Sequence, residues 1–291
     1  MNNHIPTLLL REWMQHKRGW LIAALAPPLL FLAMLPFGQV KGLPVEKVGT
    51  GMMALTMVLI SSGVVYVVSL LVALFQLPGL ARRDTQDRSI EFWLSLPGRP
   101  SESVAATVLA HAWLAPLGSA IVGAAFGLPI AMSVLAAQGG MALPMSVNWA
   151  EVVAAALPLL ARGLLGTVPL LLWLLPLIFV LMAASAWLKR LGVPLVLVGS
   201  GVAVAVLHKV YAIDWPLQML SALDDRIGHT LLHNPAALKN ALMSDGTSLW
   251  AWMAQDLGNT LAELVSLQFV GWAAVAAAGF ALVVLKRSRG G

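Results

Sequence analysis

The chain has 291 residues, of which 59% are hydrophobic and only 11% charged, with a mean hydropathy of +0.84, whereas soluble globular proteins carry about a quarter charged residues. That composition excludes a soluble fold, and the absence of cysteine excludes disulfides and thiolate metal sites. The net charge of +5 gathers at the ends of apolar stretches rather than on a basic face studded with aromatics, which points to membrane orientation and not to nucleic acid.

Crossing a hydrocarbon layer about 30 Å thick takes about 20 apolar residues in a helix, because lipid offers no partner to an open backbone. In chain order, residues 5–20 place Ile5, Leu9, Trp13 and Trp20 on one face and Arg11, Gln15 and Arg18 on the other, which predicts an amphipathic helix over residues 1–19. Spans one and two follow in 20–80, as 20–40 and 50–80, and 20–40 is too long and lacks the cleavage site of a signal peptide. Residues 81–103 form a charged connector with its own helical stripe, Ile90, Trp93, Leu94 and Pro97. Spans three to five fall in 104–207, with Pro129, Pro158, Pro169 and Pro176 as candidate kinks. The polar stretch 208–262 is too long for a plain connector and predicts helices after Asn234-Pro235 and after Ser248. Its apolar stripes at Leu217 and Leu220 and at Leu249, Trp252, Met253 and Leu257 predict a cap laid over the ends of the spans. Span six and a basic tail close the chain in 263–291. The predicted fold is therefore all-α and integral to a membrane, with six transmembrane helices, an N-terminal amphipathic helix and a helical outer insertion between spans five and six.

Orientation follows from the basic residues. With the N-terminus inside, twelve of the eighteen lysines and arginines fall on the inner side, including Arg11, Lys17, Arg18, Arg82, Arg83, Arg88 and Lys286. Six spans then return the C-terminus to the same side.

No catalytic constellation emerges. Gly199-Ser200-Gly201 with His208 has the wrong spacing for a serine nucleophile, and small residues in a span serve helix packing. His229 and His233 stand at i, i+4 with Asp224 and Asp225 nearby, a pattern read as a solvated helix rather than a metal site. Gly123-x-x-x-Gly127 reads as a close helix contact within the chain. Gln76 and His111 near the inner ends of spans two and three, and Arg162 and Glu263 near outer ends, are the polar groups that lie closest to a pathway through the bundle. Snorkelling to the interface accounts for Arg162 and Glu263 in the simplest reading. Mid-membrane carboxylate relays of the kind a proton-driven antiporter needs are missing. None of the seven lysines is followed by Ser or Thr, so no P-loop is present and the chain is not expected to hydrolyse ATP itself.

Leu10-Arg11-Glu12-Trp13 with His16-Lys17-Arg18-Gly19-Trp20 resembles the connecting helix that opens permeases of the ABC type-2 exporter family. Asp87-Arg88-Ser89-Ile90-Glu91-Phe92-Trp93-Leu94-Ser95-Leu96-Pro97 resembles that family's segment between spans two and three. The resemblance implies a permease of the bacterial inner membrane, both termini cytoplasmic, that works as a dimer with a second permease copy or paralogue. It implies two copies of a separate ATP-binding subunit, with ATP and Mg²⁺ held there. The docking surface it implies is Asp87, Arg88, Ser89, Glu91, Phe92 and Trp93, with Arg11, Lys17 and Arg18 beside it. The expected cargo is amphipathic or hydrophobic: a peptide, a drug-like molecule or a lipid. Two other readings compete: a membrane sensor or assembly factor that binds an ATPase without transporting, and an integral membrane enzyme.

Overall fold

The computed structural model describes residues 4–38, 49–82, 99–243 and 248–289. Every regular element among them is helical: α1 (Ile5–Met34), α2 (Thr50–Leu80), α3 (Pro100–Gly139), α4 (Trp149–Leu188), α5 (Gly192–Tyr211), α6 (Trp215–Leu231), α7 (Pro235–Met243), α8 (Leu249–Ala262) and α9 (Leu267–Ser288), with short turns of helix between some of them. Five helical runs are long and apolar enough to cross a membrane: Ile5–Phe37, Thr50–Leu80, Pro100–Gly139, Trp149–Tyr211 and Leu267–Ser288. By helix length and hydropathy the chain is a multi-pass membrane protein.

The fourth run holds 63 residues, about 95 Å if it were one straight helix. It is broken at Lys189, whose φ of 55° no helix tolerates, and a turn over Lys189–Leu191 separates α4 from α5. α5 buries nothing but Gly192 at its start, so an apolar helix of 20 residues stands on the rim of the bundle.

Residues 5–34 form one helix, so the amphipathic segment runs directly into the first long apolar stretch. The physical reason is that Gly19-Trp20 carries no helix stop, since a lone glycine costs only about 1 kcal/mol in a helix interior. Glu12, Ala24 and Pro28 are buried and His16 and Trp20 are partly so, an i, i+4 line that turns inward along the whole helix. Trp13 stays half exposed, beside the groove between α1 and α3.

Two apolar clusters stack along the bundle. One joins Tyr66 and Leu77 of α2, Val104 and Val108 of α3, Ile178 and Met182 of α4 and Val283 of α9. The other joins Met53 and Val58 of α2, Ala131 and Leu135 of α3, Val152 and Leu159 of α4 and Trp252 of α8. The ends of the helices in the first cluster carry the basic residues, and we call this the basic end. α7 and α8 pack at the opposite, cap end. α2 and α3 touch most closely: Ser61 and Ser62 hydroxyls donate to the carbonyls of Gly123 (2.7 Å) and Ala120 (2.9 Å). A Cβ at Gly127 would lie 2.6 Å from Val58 Cα, so the Gly-x-x-x-Gly spacing is an intrachain contact.

The insertion folds as expected in part. α7 starts at Pro235 with the Asn234 side chain accepting from the Ala237 amide at 3.0 Å, and α8 starts after Ser248 with Trp252 buried. The stripe on α6 is a correction, since Leu217 and Leu220 are 42% and 48% exposed. The C-terminal end of α6, not its start, rests on the bundle, because Thr230 is the position anchored to α4.

Candidate functional site

Two polar clusters occupy opposite ends of the bundle. At the basic end α3 widens into a π-turn over Leu109–Leu114, a local distortion that recurs at functional positions. It carries His111, fully buried, whose Nε2 lies 3.4 Å from Glu12 Oε2. The Glu12 carboxylate is also fully buried, accepts from Thr107 Oγ1 at 3.2 Å and pairs with Arg11, while His16 Nδ1 stands 3.5 Å from it. Rings of His16 and Trp20 pack edge-on against His111, with centroids 4.5 and 5.0 Å away. A carboxylate this deep costs several kcal/mol unless it is paired and hydrogen-bonded, and the cluster supplies both. Beside it, Ser103 Oγ accepts from Arg11 Nη2 (3.4 Å) and from Arg287 Nη1 (3.3 Å), so α1, α3 and α9 meet at one hydroxyl.

At the cap end Arg162 of α4 is 1% exposed, which corrects the expectation that it snorkels. It stands about 39 Å along α4 from Leu188, and all three of its nitrogens find partners. Nε donates to Asp256 Oδ2 (2.8 Å), Nη1 to the Thr230 carbonyl (2.8 Å) and Nη2 to Thr260 Oγ1 (2.7 Å). Gly166, one turn along α4, makes room for the Thr230 carbonyl, which a Cβ there would strike. Asp256 accepts in turn from the amides of His233 (3.0 Å) and Asn234 (2.9 Å). One buried ion pair thereby fixes α8, the end of α6 and the bend after it on the side of α4.

Glu263, just beyond α8, has a side chain 9% exposed and gathers one guanidinium and two imidazoles. Arg226 Nη1 lies 2.8 Å, His229 Nδ1 3.0 Å and His233 Nδ1 3.5 Å from its Oε1. The two histidines do not share a helix, for α6 ends at Leu231 and His233 sits in the bend, yet their rings approach to 4.9 Å.

Of the residues singled out in the sequence, His111 is joined to the basic-end cluster, and Arg162 and Glu263 belong to one connected cap-end network. Gln76 is half-buried on α2 and joins neither among the described residues. Arg11 reaches the Ser103 junction; Lys17 and Arg18 are exposed on the same helix. Asp87, Arg88, Ser89, Glu91, Phe92 and Trp93 lie outside the described residues. Glu12, Asp256, Thr230 and Thr260 were not foreseen. For Glu12 a signal existed, since Glu12, His16 and Trp20 repeat every four residues on one helix face.

Between α2, α3 and α4 lies a partly open cavity of about 140 Å³, bordered by Leu231 and lined by Ser62, Tyr66 and Thr167 among apolar side chains. A larger apolar groove of about 340 Å³ opens between α1 and α3 beside Trp13 and Trp20. Compared with known protein families, curated proteins and solved structures, the chain matches none.

Proposed function

We propose that this chain is the membrane-embedded permease subunit of an ABC exporter, powered by a separate ATP-binding subunit and paired with a second permease. In this reading α5 is a sixth span: its 20 apolar residues cover about 30 Å, and it returns the chain to the cap side before α6. The basic end then faces the cytoplasm, as the lysine and arginine asymmetry requires, and both termini lie there.

The observation that carries the reading is the junction at Ser103. The segment with the exporter-like residues leaves α2 after Arg82 and returns at Arg99, four residues before Ser103. A partner that grips this segment and the basic face of α1 pushes on α1, α3 and α9 at one point, and packed helices shift as rigid bodies rather than deform. The buried Glu12–His111 contact makes α1 and α3 move together. The cavity between α2, α3 and α4, apolar with a few hydroxyls, suits an amphipathic cargo. In this reading the partner holds ATP and Mg²⁺, which the lack of a P-loop in this sequence supports.

Trp93→Ala and Arg88→Glu test this, because a large aromatic anchor at an interface commonly contributes about 2 kcal/mol or more. Co-purification of the ATP-binding subunit with the permease falls about 30-fold or more in affinity for Trp93→Ala, while membrane insertion stays as in wild type. Unchanged attachment and unchanged transport in both variants refute the docking role and favour an ordinary connector that obeys the positive-inside rule.

A further inference from the structure

We infer that His229, His233 and Glu263 form a binding site for one divalent transition-metal ion of the zinc class on the cap. The three side chains come from the end of α6, the bend after it and the corner between α8 and α9, and their ligand atoms all lie within 4.8 Å of one another. Two imidazoles and a carboxylate are a zinc donor set that leaves a fourth position open. Donors on one tetrahedral ion with bonds of about 2.0–2.1 Å are separated by about 3.3 Å; Glu263 Oε1 stands 3.0 Å from His229 Nδ1 and 3.5 Å from His233 Nδ1.

Hydrogen bonding leaves this cluster incomplete, and that points to a ligand. Glu263 Oε2 and His233 Nδ1 are both buried and both lack a hydrogen-bond partner, an uncommon and costly condition for buried polar atoms. A bound cation satisfies both at once. The glutamate side chain is 9% exposed, whereas His229 is 44% exposed and opens the site to solvent, giving an entry path and a place for a water ligand. Arg226 Nη1 sits on Oε1 at 2.8 Å and swings aside as the ion takes both carboxylate oxygens and the two ring nitrogens. The frame is built independently of the ion: Asp256, locked to Arg162, holds the backbone amides of His233 and Asn234. The basic-end triad of Glu12, His16 and His111 differs, because its carboxylate already takes the Thr107 hydroxyl and Arg11. On the cap, the ion staples the end of α6 to the head of α9. This site stands whether or not the chain transports anything.

The test uses tag-free, full-length protein in detergent, stripped with a chelator and titrated with Zn²⁺ alone, with bound metal counted after dialysis. Wild type takes up one equivalent per chain, and Co²⁺ in its place gives the visible absorption of a low-coordinate nitrogen and oxygen site. His229→Ala, His233→Ala and Glu263→Gln each weaken binding at least about tenfold, and the double histidine variant takes up none. Arg226→Ala keeps the equivalent with equal or tighter affinity, which a plain ion-pair cluster does not explain. His229→Ala, altering a half-exposed side chain, separates lost binding from lost folding. No saturable equivalent in wild type, or undiminished uptake by the double variant, overturns the site.

Discussion

Replacing Arg162 by methionine removes the charge that holds the cap to α4 while keeping most of the side-chain volume. Three hydrogen bonds go, at 2.7 to 2.8 Å. Asp256, 2% exposed, keeps only the His233 and Asn234 amides and becomes an uncompensated buried carboxylate. Breaking a buried pair from one side costs about 3–5 kcal/mol. The cost falls on local opening of the cap, because all three partners of Arg162 lie on α6 and α8. At 1.4 kcal/mol per tenfold, amide exchange at His233 and Asn234 accelerates by about 10² to 4 × 10³. Hydrogen–deuterium exchange read by mass spectrometry on peptides from 229–262 measures it, with peptides of α2 and α3 as internal reference. Arg162→Lys falls between, since a single ammonium cannot reach three partners in the fork geometry. Asp256→Leu combined with Arg162→Met recovers part of the loss. Exchange in Arg162→Met equal to wild type refutes the clamp and returns Arg162 to the interface.

Gly127→Leu drives a side chain into Val58, where a Cβ already lies at 2.6 Å, and costs about 1–3 kcal/mol or more; thermal aggregation in detergent shifts down, while Gly118→Ala, which meets nothing within 4 Å, is neutral. Reporter tags after Gly291 and in the Lys189–Leu191 turn read as cytoplasmic, and one placed within 221–248 reads as periplasmic; a shared side for the second and third contradicts the six-span arrangement and leaves α5 outside the membrane, and a shared side for the first and third takes α9 out of it.

The sequence made the helical, membrane-embedded character legible because lipid demands long uninterrupted apolar runs. Asn234-Pro235 and Ser248 marked helix starts through local backbone chemistry, and Gly123-x-x-x-Gly127 marked a close contact. What stayed illegible was pairing at a distance. Arg162 and Asp256 stand 94 residues apart and Glu12 and His111 stand 99 apart, and no periodicity links such partners. Hydropathy also fails to separate lipid-facing from protein-facing apolar surface, since lipid tails are as apolar as leucine. That is why α5 read like the other spans although it buries only Gly192, and why the exposed start of α6 read as a covered stripe. His229 and His233 were read against Asp224 and Asp225 because these are near in sequence; the carboxylate that meets them, Glu263, is 34 residues from His229.

The central claim is that a nucleotide-hydrolysing partner drives this chain from its basic end. Purifying the full-length wild-type protein from its native membrane in mild detergent, and measuring both the composition of the complex and its ATP hydrolysis, tests that claim most directly. The account predicts a P-loop polypeptide in equal amount with the permease and ATPase activity that is lost when the partner is stripped away. A chain that purifies without any nucleotide-binding subunit, and a membrane fraction in which none can be cross-linked to residues 83–98, contradicts it.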